Sequence, residues 1–299
     1  MSLSMILLPL VAQVGPFTAP GTRGTPFPEK VERPAKVRSA PAPFVPPPVR
    51  AGKAQECINQ VEDDAEAAVD TATAWLAVAK PDERAEAGLC LGMAQSRLEA
   101  WDDAEAAFLG GREAAGSDRL MRARLGAMAG NAALAGDNPD HAIAALDTAR
   151  EDAKGLAEKP LLTDIALDRA RALVALKRNA EAEGALAEAR EASPNNPEAW
   201  LLSATLSRRE GKLAEAQQQI LTAAELLPID PAIGLEAGVI AVLAGHDEAA
   251  RKSWQSVIVA APGSAAATTA QGYIAQLGPA AAAKVPAAIQ TPVKVEQGR

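Results

Sequence analysis

Three prolines, Pro194, Pro228 and Pro262, stand thirty-four residues apart. A period of that length marks a supersecondary unit repeated along the chain, each copy burying its apolar face on the next. Such an array grows by adding units, so the size limit of a single central core does not bound it.

Other residues keep the same beat. Asn196-Pro197 and Asp230-Pro231 lie one period apart, and each joins a capping side chain to a proline at the first helical position, where no backbone donor is needed. Gly211 and Gly245 fall where a tight turn joins two helices. Small residues recur in pairs twelve apart: Ala170 and Ala182, Ala204 and Ala216, Gly238 and Ala250. That spacing puts one on each arm of a helical hairpin. Four residues after the second member comes a bulky side chain, Leu186, Ile220 or Trp254, and three further on Ala189, Ala223 or Val257. The spacing is helical, so these residues share a buried face.

The pattern resembles the tetratricopeptide repeat, whose outline is Trp-x2-Leu-Gly-x2-Tyr, then Ala-x3-Phe, then Pro. Residues 163–196, 197–230 and 231–264 match its small, bulky and proline positions, and Trp200 stands at its tryptophan position. The family's first leucine is lost in two of the three units, where Arg169 and Ser203 replace it, and Ala237 takes the position in the third. Upstream, Leu91-Gly92, Trp101, Ala104 and Phe108 spell a unit over 85–118, and Gly130, Ala142, Leu146 and Ala149 another over 123–156. About six extra residues near Ala153–Pro160 lengthen a helix or a loop. A degenerate unit covers 51–84, with Trp75 and Leu76 in its second helix, and residues 264–277 read as a capping helix. The resemblance implies an all-α, right-handed solenoid of about five to six hairpins over residues 51–278. Composition agrees: 48% of residues are hydrophobic but only 3% aromatic, as expected of alanine-rich helices packed closely.

The ends differ. Met5–Ala12 is apolar but too short to span a bilayer, and it reads as the centre of a signal peptide over 1–16, although no Lys or Arg precedes it. This implies export to the periplasm or beyond; a cytoplasmic location is the alternative. Residues 17–50 are crowded with proline and carry six basic residues against two acids, which suits an extended linker or a ligand for a proline-binding groove. Residues 279–299 read as a disordered tail.

Cys57 and Cys90 are the only cysteines. They lie 33 residues apart, nearly one repeat, so the array would bring them side by side on the first helices of neighbouring units. In an exported chain an even count favours a bridge; in a cytosolic one the two would be reduced and buried.

The motifs of chemistry are missing. His141 and His246 are too scattered for metal spacing, and neither a phosphate-cradling glycine loop nor a Gly-x-Ser-x-Gly elbow occurs. No catalytic residue, metal or cofactor is expected. A net charge of −8 disfavours nucleic acid, whose phosphates demand clustered Lys and Arg. In the family, the first helix of each unit lines a concave groove at its second, fifth, ninth, twelfth and thirteenth positions. Here those positions include Arg97, Arg124, Asn131, Arg171, Arg208 and Arg209, together with Met93, Leu134, Leu167, Val174, Leu201, Thr205, Val239 and Val242, and the acids Glu86, Asp164 and Glu198. Arginines so placed suit a peptide carboxylate or an acidic segment; alternatively they pair with acids on neighbouring helices. The lysine/asparagine set by which some family members grip chaperone tails is absent except for Asn131. The expected function is a non-catalytic scaffold for protein–protein interaction. The alternatives are a regulatory subunit or an enzyme with an unfamiliar site, or a structural part of an oligomer.

Overall fold

A computed structural model describes residues 52–277. The signal peptide, linker and tail expected at 1–16, 17–50 and 279–299 lie outside the described residues. Within them are thirteen helices and no strand: α1 (Lys53–Asp63), α2 (Ala65–Val78), α3 (Arg84–Arg97), α4 (Trp101–Ala114), α5 (Arg119–Ala135), α6 (Pro139–Ala153), α7 (Lys159–Ala175), α8 (Asn179–Ala192), α9 (Pro197–Arg209), α10 (Leu213–Leu226), α11 (Pro231–Leu243), α12 (Asp247–Ala260) and α13 (Ala265–Gln276). Each packs on the helix before and the helix after it, from α1 to α13.

The helix starts follow from their caps. Asn196 accepts hydrogen bonds from the backbone N–H groups of Glu198 and Ala199, and Asp230 does the same for Ala232 and Ile233, with Pro197 and Pro231 at the first helical position. Asp64, Asp118, Asn138 and Ser264 cap α2, α5, α6 and α13. Gly211 and Gly245 turn in the left-handed region, at φ 76° and 80°. The corresponding turns upstream place Glu99, Asp137 and Lys177 there instead, at φ 57–59°. The extra residues before the regular part of the array go mostly into helix: α5 and α7 run to 17 residues each, against 13 or 14 in α8 to α12.

The core is a chain of adjoining apolar clusters rather than one centre. The largest joins α5 to α9 around Leu146, Ile165, Leu173 and Leu186. Others centre on Phe108 and Leu125, on Ile220 and Ile240, and on Trp254. Small residues set the spacing between the arms: Phe108 packs against Gly92, Leu146 against Gly130 and Trp254 against Gly238, so closely that no Cβ fits at those glycines without movement. Positions that depart from the family pattern are filled by polar contacts. Arg169 reaches Asp147 and Glu188, and the buried Ser203 hydroxyl donates to the Ala199 carbonyl while accepting from Arg190. Arg190 also lies over the ring of Trp200, whose indole N–H donates to the Pro194 carbonyl at 2.8 Å. That contact ties one of the periodic prolines to the next helix.

The first end of the array is stapled. Cys57 on α1 and Cys90 on α3 form a disulfide with Cα atoms 6.1 Å apart, both fully buried. In the chain-entropy picture, a closed loop of that length is worth roughly 3–4 kcal/mol.

Candidate peptide groove

Odd-numbered helices touch one another across hairpins, α1 with α3, α3 with α5, α5 with α7, α9 with α11 and α11 with α13, whereas no two even-numbered helices make a comparable contact. Closer approach along one side is what curves a stacked array, so the odd-numbered helices line its inner surface. Ion pairs made by long side chains bridge the even-numbered helices instead: Arg150 to Glu188 at 2.8 Å and Lys212 to Glu183 at 3.0 Å.

The inner surface is crossed by a polar ladder. Arg124 on α5 stands 3.6 Å from Glu158, which precedes α7. The Asn131 amide, also on α5, donates to Asp168 of α7 at 3.3 Å. Arg171 of α7 donates to Asp168 on its own helix and to Glu198 of α9. Arg208 of α9 holds Glu236 of α11 with both ends of its fork, the shorter bond 2.6 Å, and both side chains are largely buried. Arg124, Arg171 and Arg208 therefore already face carboxylates across the helix boundaries. Arg97 and Arg209 are exposed and form no ion pair with a described residue.

The electrostatics of the ladder are uneven. Around Arg171, three carboxylates share one guanidinium: Asp164, Asp168 and Glu198. Asp164 is exposed, yet the surrounding chain strips part of its hydration, and Asp168 and Glu198 repel its charge. Together these push its pKa up to about 6, with Arg171 offsetting only part of the rise. Towards α11 and α13 the surface turns apolar. Leu235, Val239 and Val242 are half-buried beside Tyr273 and Ile274 of the last helix, and Leu243 stands exposed. The arrangement offers fork-like donors, a local excess of negative charge and an apolar floor at one end.

Sequence reasoning placed Arg124, Asn131, Arg171 and Arg208 on this surface without seeing what they touch. It also missed the partners outside the groove positions, Glu158, Asp168 and Glu236. Glu236 sits one residue after Leu235 and carries no motif that would single it out. A second cluster, away from the groove, escaped as well: Arg112 of α4 and Arg122 of α5 both grip Asp152 of α6, at 2.6 and 3.0 Å. His141 lies 3.2 Å from the buried carboxylate of Glu105, joining α6 to α4. Among the described residues, no three His, Cys, Asp or Glu side chains converge as a metal site would require. None of the described helices is long and apolar enough to cross a membrane.

Residues 163–206 match the family described as Tetratricopeptide repeat. No curated protein sequence matches the chain. Among solved structures, PilW, described as a widely conserved type IV pilus biogenesis factor, aligns with a TM-score of 0.60 at 17% identity, over 73% of this chain and 96% of its own. Pseudomonas aeruginosa PilF aligns with a TM-score of 0.58 at 16% identity, over 74% of this chain and 96% of its own. A tetratricopeptide repeat protein from Parabacteroides merdae aligns with a TM-score of 0.59 at 16% identity, over 75% and 86%. At these identities the likeness is one of fold.

Proposed function

We propose that this chain, whose fold is that of the tetratricopeptide-repeat solenoids and whose residues 163–206 are such a repeat, is a non-catalytic scaffold that holds an extended peptide or a partner helix against its inner surface. The observation that carries the proposal is the make-up of that surface: a lane of odd-numbered helices with an apolar end and two arginines, Arg97 and Arg209, that pair with no carboxylate among the described residues. A partner carrying acidic residues or a free carboxylate would satisfy those two guanidinium groups first. It could then compete with Glu198 for Arg171 and with Glu236 for Arg208, since forked donors exchange one carboxylate for another at little cost in geometry. The acidic body argues against phosphate-rich ligands.

The buried Cys57–Cys90 bridge supports placing the protein in an oxidising compartment such as the bacterial periplasm, because a cytosolic chain would meet thiols that keep such pairs reduced. PilW and Pseudomonas aeruginosa PilF are similar in fold only, and their partners are not carried over.

Screening a peptide library against the full chain tests the proposal. Binders should be enriched in acidic or C-terminal carboxylate sequences, and Arg97→Glu with Arg209→Glu should weaken them at least tenfold. Lys252→Glu on α12 should not. Equal binding to all three proteins would refute the inner surface as the site.

A further inference from the structure

The turn that opens α5 does not belong to the regular repeat. Pro197 and Pro231 begin α9 and α11 seven residues before the small residues Ala204 and Gly238, whereas Arg119 begins α5 eleven residues before Gly130. The difference is one helical turn, running from Arg119 to Arg122. Insertions in a repeat array gather on one face, often the face that binds.

This turn brings Arg119 and Arg122 to the edge of the array where α4 and α6 end, away from the groove. There Arg112 of α4 donates to one oxygen of Asp152 through Nε and Nη2, at 3.1 and 2.6 Å, and Arg122 donates to the other at 3.0 Å. Arg119 is exposed and uses one nitrogen, Nη2, on the carbonyls of Glu151 and Lys154 at the end of α6. The remaining N–H groups of the three forks make no hydrogen bond with a described residue.

Three guanidinium groups thus share one carboxylate. The acids that border them are engaged elsewhere: Glu151 faces Lys154 at 3.8 Å, and Glu158 faces Arg124 at 3.6 Å. Other networks in this chain are balanced the opposite way. Arg208 pairs with Glu236, Arg169 reaches both Asp147 and Glu188, and Arg171 reaches both Asp168 and Glu198. The side chains of Arg112 and Arg122 are only 17% and 30% exposed, so the surplus positive charge is partly stripped of water. A charge so placed favours an anion beside it.

We propose that Arg112, Arg119 and Arg122 form a second docking point, outside the groove, for a run of acidic residues on a partner protein. Arg119 and Arg122 stand one turn apart on one helix face, with Cβ atoms about 5–6 Å from each other. That is close to the roughly 6.6 Å between alternate residues of an extended chain, so two carboxylates of such a run meet two forks. A net charge of −8 on the whole chain repels long polyanions, which favours a short acidic protein segment over nucleic acid.

The test uses the full chain carrying Arg97→Glu and Arg209→Glu, so that the groove does not compete, and a fluorescent hexaglutamate peptide at low salt. Adding Arg119→Gln with Arg122→Gln should weaken binding about tenfold. Arg119→Lys with Arg122→Lys, which keep the charge, should weaken it less. In the unsubstituted cluster the ¹⁵N signals of the Arg119 and Arg122 side chains should shift as peptide is added, a readout that does not depend on how the variants fold. Equal affinity with glutamine at both positions, or arginine signals that do not move, would overturn the proposal and leave the groove untouched. Inorganic phosphate shifting those signals at lower concentration than the peptide would overturn it in favour of a phosphate site. A doubled mass that the glutamine variant abolishes would overturn it too, because the acids would then be Glu62, Asp63 and Asp64 of a second copy.

Discussion

The indole of Trp254 fills the space in which a side chain at Gly238 would begin. A Cβ built there overlaps Trp254 Nε1, and the glycine is what admits the largest side chain of the array to this position. The same pairing, sixteen residues apart, recurs as Gly92–Phe108, Gly130–Leu146, Ala170–Leu186 and Ala204–Ile220. Alanine accompanies the aliphatic partners in two hairpins, and glycine accompanies both aromatics. Gly238→Ala should therefore destabilise α11–α12 by about 1–3 kcal/mol through overpacking. Adding Trp254→Ile, which recreates the Ala204–Ile220 pair, should recover much of that loss. A double-mutant cycle followed by hydrogen exchange in α11 and α12 measures the coupling, which should favour the double variant over the sum of its parts.

Reducing the Cys57–Cys90 bridge should act locally. In a stacked array each hairpin contacts only its neighbours, so the roughly 3–4 kcal/mol expected for this loop is lost from the first end and not spread along the chain. Cys57→Ala with Cys90→Ala should raise amide exchange in α1, α2 and the start of α3 by at least tenfold while leaving α9 to α12 unchanged. Mass mapping without reductant should find no free thiol in the native protein.

Glu99, Asp137 and Lys177 hold left-handed backbone that Gly211 and Gly245 adopt without steric penalty. Glu99→Gly and Lys177→Gly should each stabilise the chain by about 0.5–1 kcal/mol, because relief of the Cβ clash exceeds the added freedom of the unfolded chain. Gly211→Ala should cost about the same. Melting temperatures of the three variants check the order: the first two above the parent, the third below.

These turns show where the sequence was readable and where it was not. Asn196-Pro197 and Asp230-Pro231 declared their helix starts because capping is a contact between residues two or three apart, and the small–bulky pairs declared the hairpins because their spacing repeats. Glu99 and Lys177 gave no sign, since any residue can be forced into a turn when both flanking helices are held by packing. The groove was legible as a set of positions but not as a set of contacts. The partners that Arg124, Arg171 and Arg208 find on a neighbouring hairpin lie 27 to 34 residues away in sequence, and only the stacking geometry selects them. The Cys57–Cys90 pairing was an intermediate case, suggested by near-periodicity and realised because α1 and α3 lie side by side.

Asp164 gives the groove a pH dependence of unusual sign for a carboxylate. Its pKa in the folded chain is raised to about 6, from an ordinary value near 3.8. Between those values the folded chain keeps a proton that the unfolded chain has released, so this group favours folding in acid. Its contribution is fully present below about pH 4 and disappears as pH rises through 6. The groups that face it are Asp168 on its own helix, Glu198 from α9 and Arg171, and the first two raise its pKa while the third lowers it. Asp164→Asn keeps the shape and removes the charge. At pH 7 the variant should be more stable than the parent, because the parent then holds three carboxylates around one guanidinium. At pH 4 the difference should be much smaller, since Asp164 is then protonated in the folded parent and partly protonated in the unfolded one. Urea unfolding at pH 4, 5, 6 and 7 gives the difference directly, free of the other carboxylates that titrate alike in both proteins. A difference that stays constant across that range would show that the charge of Asp164 is not what sets it.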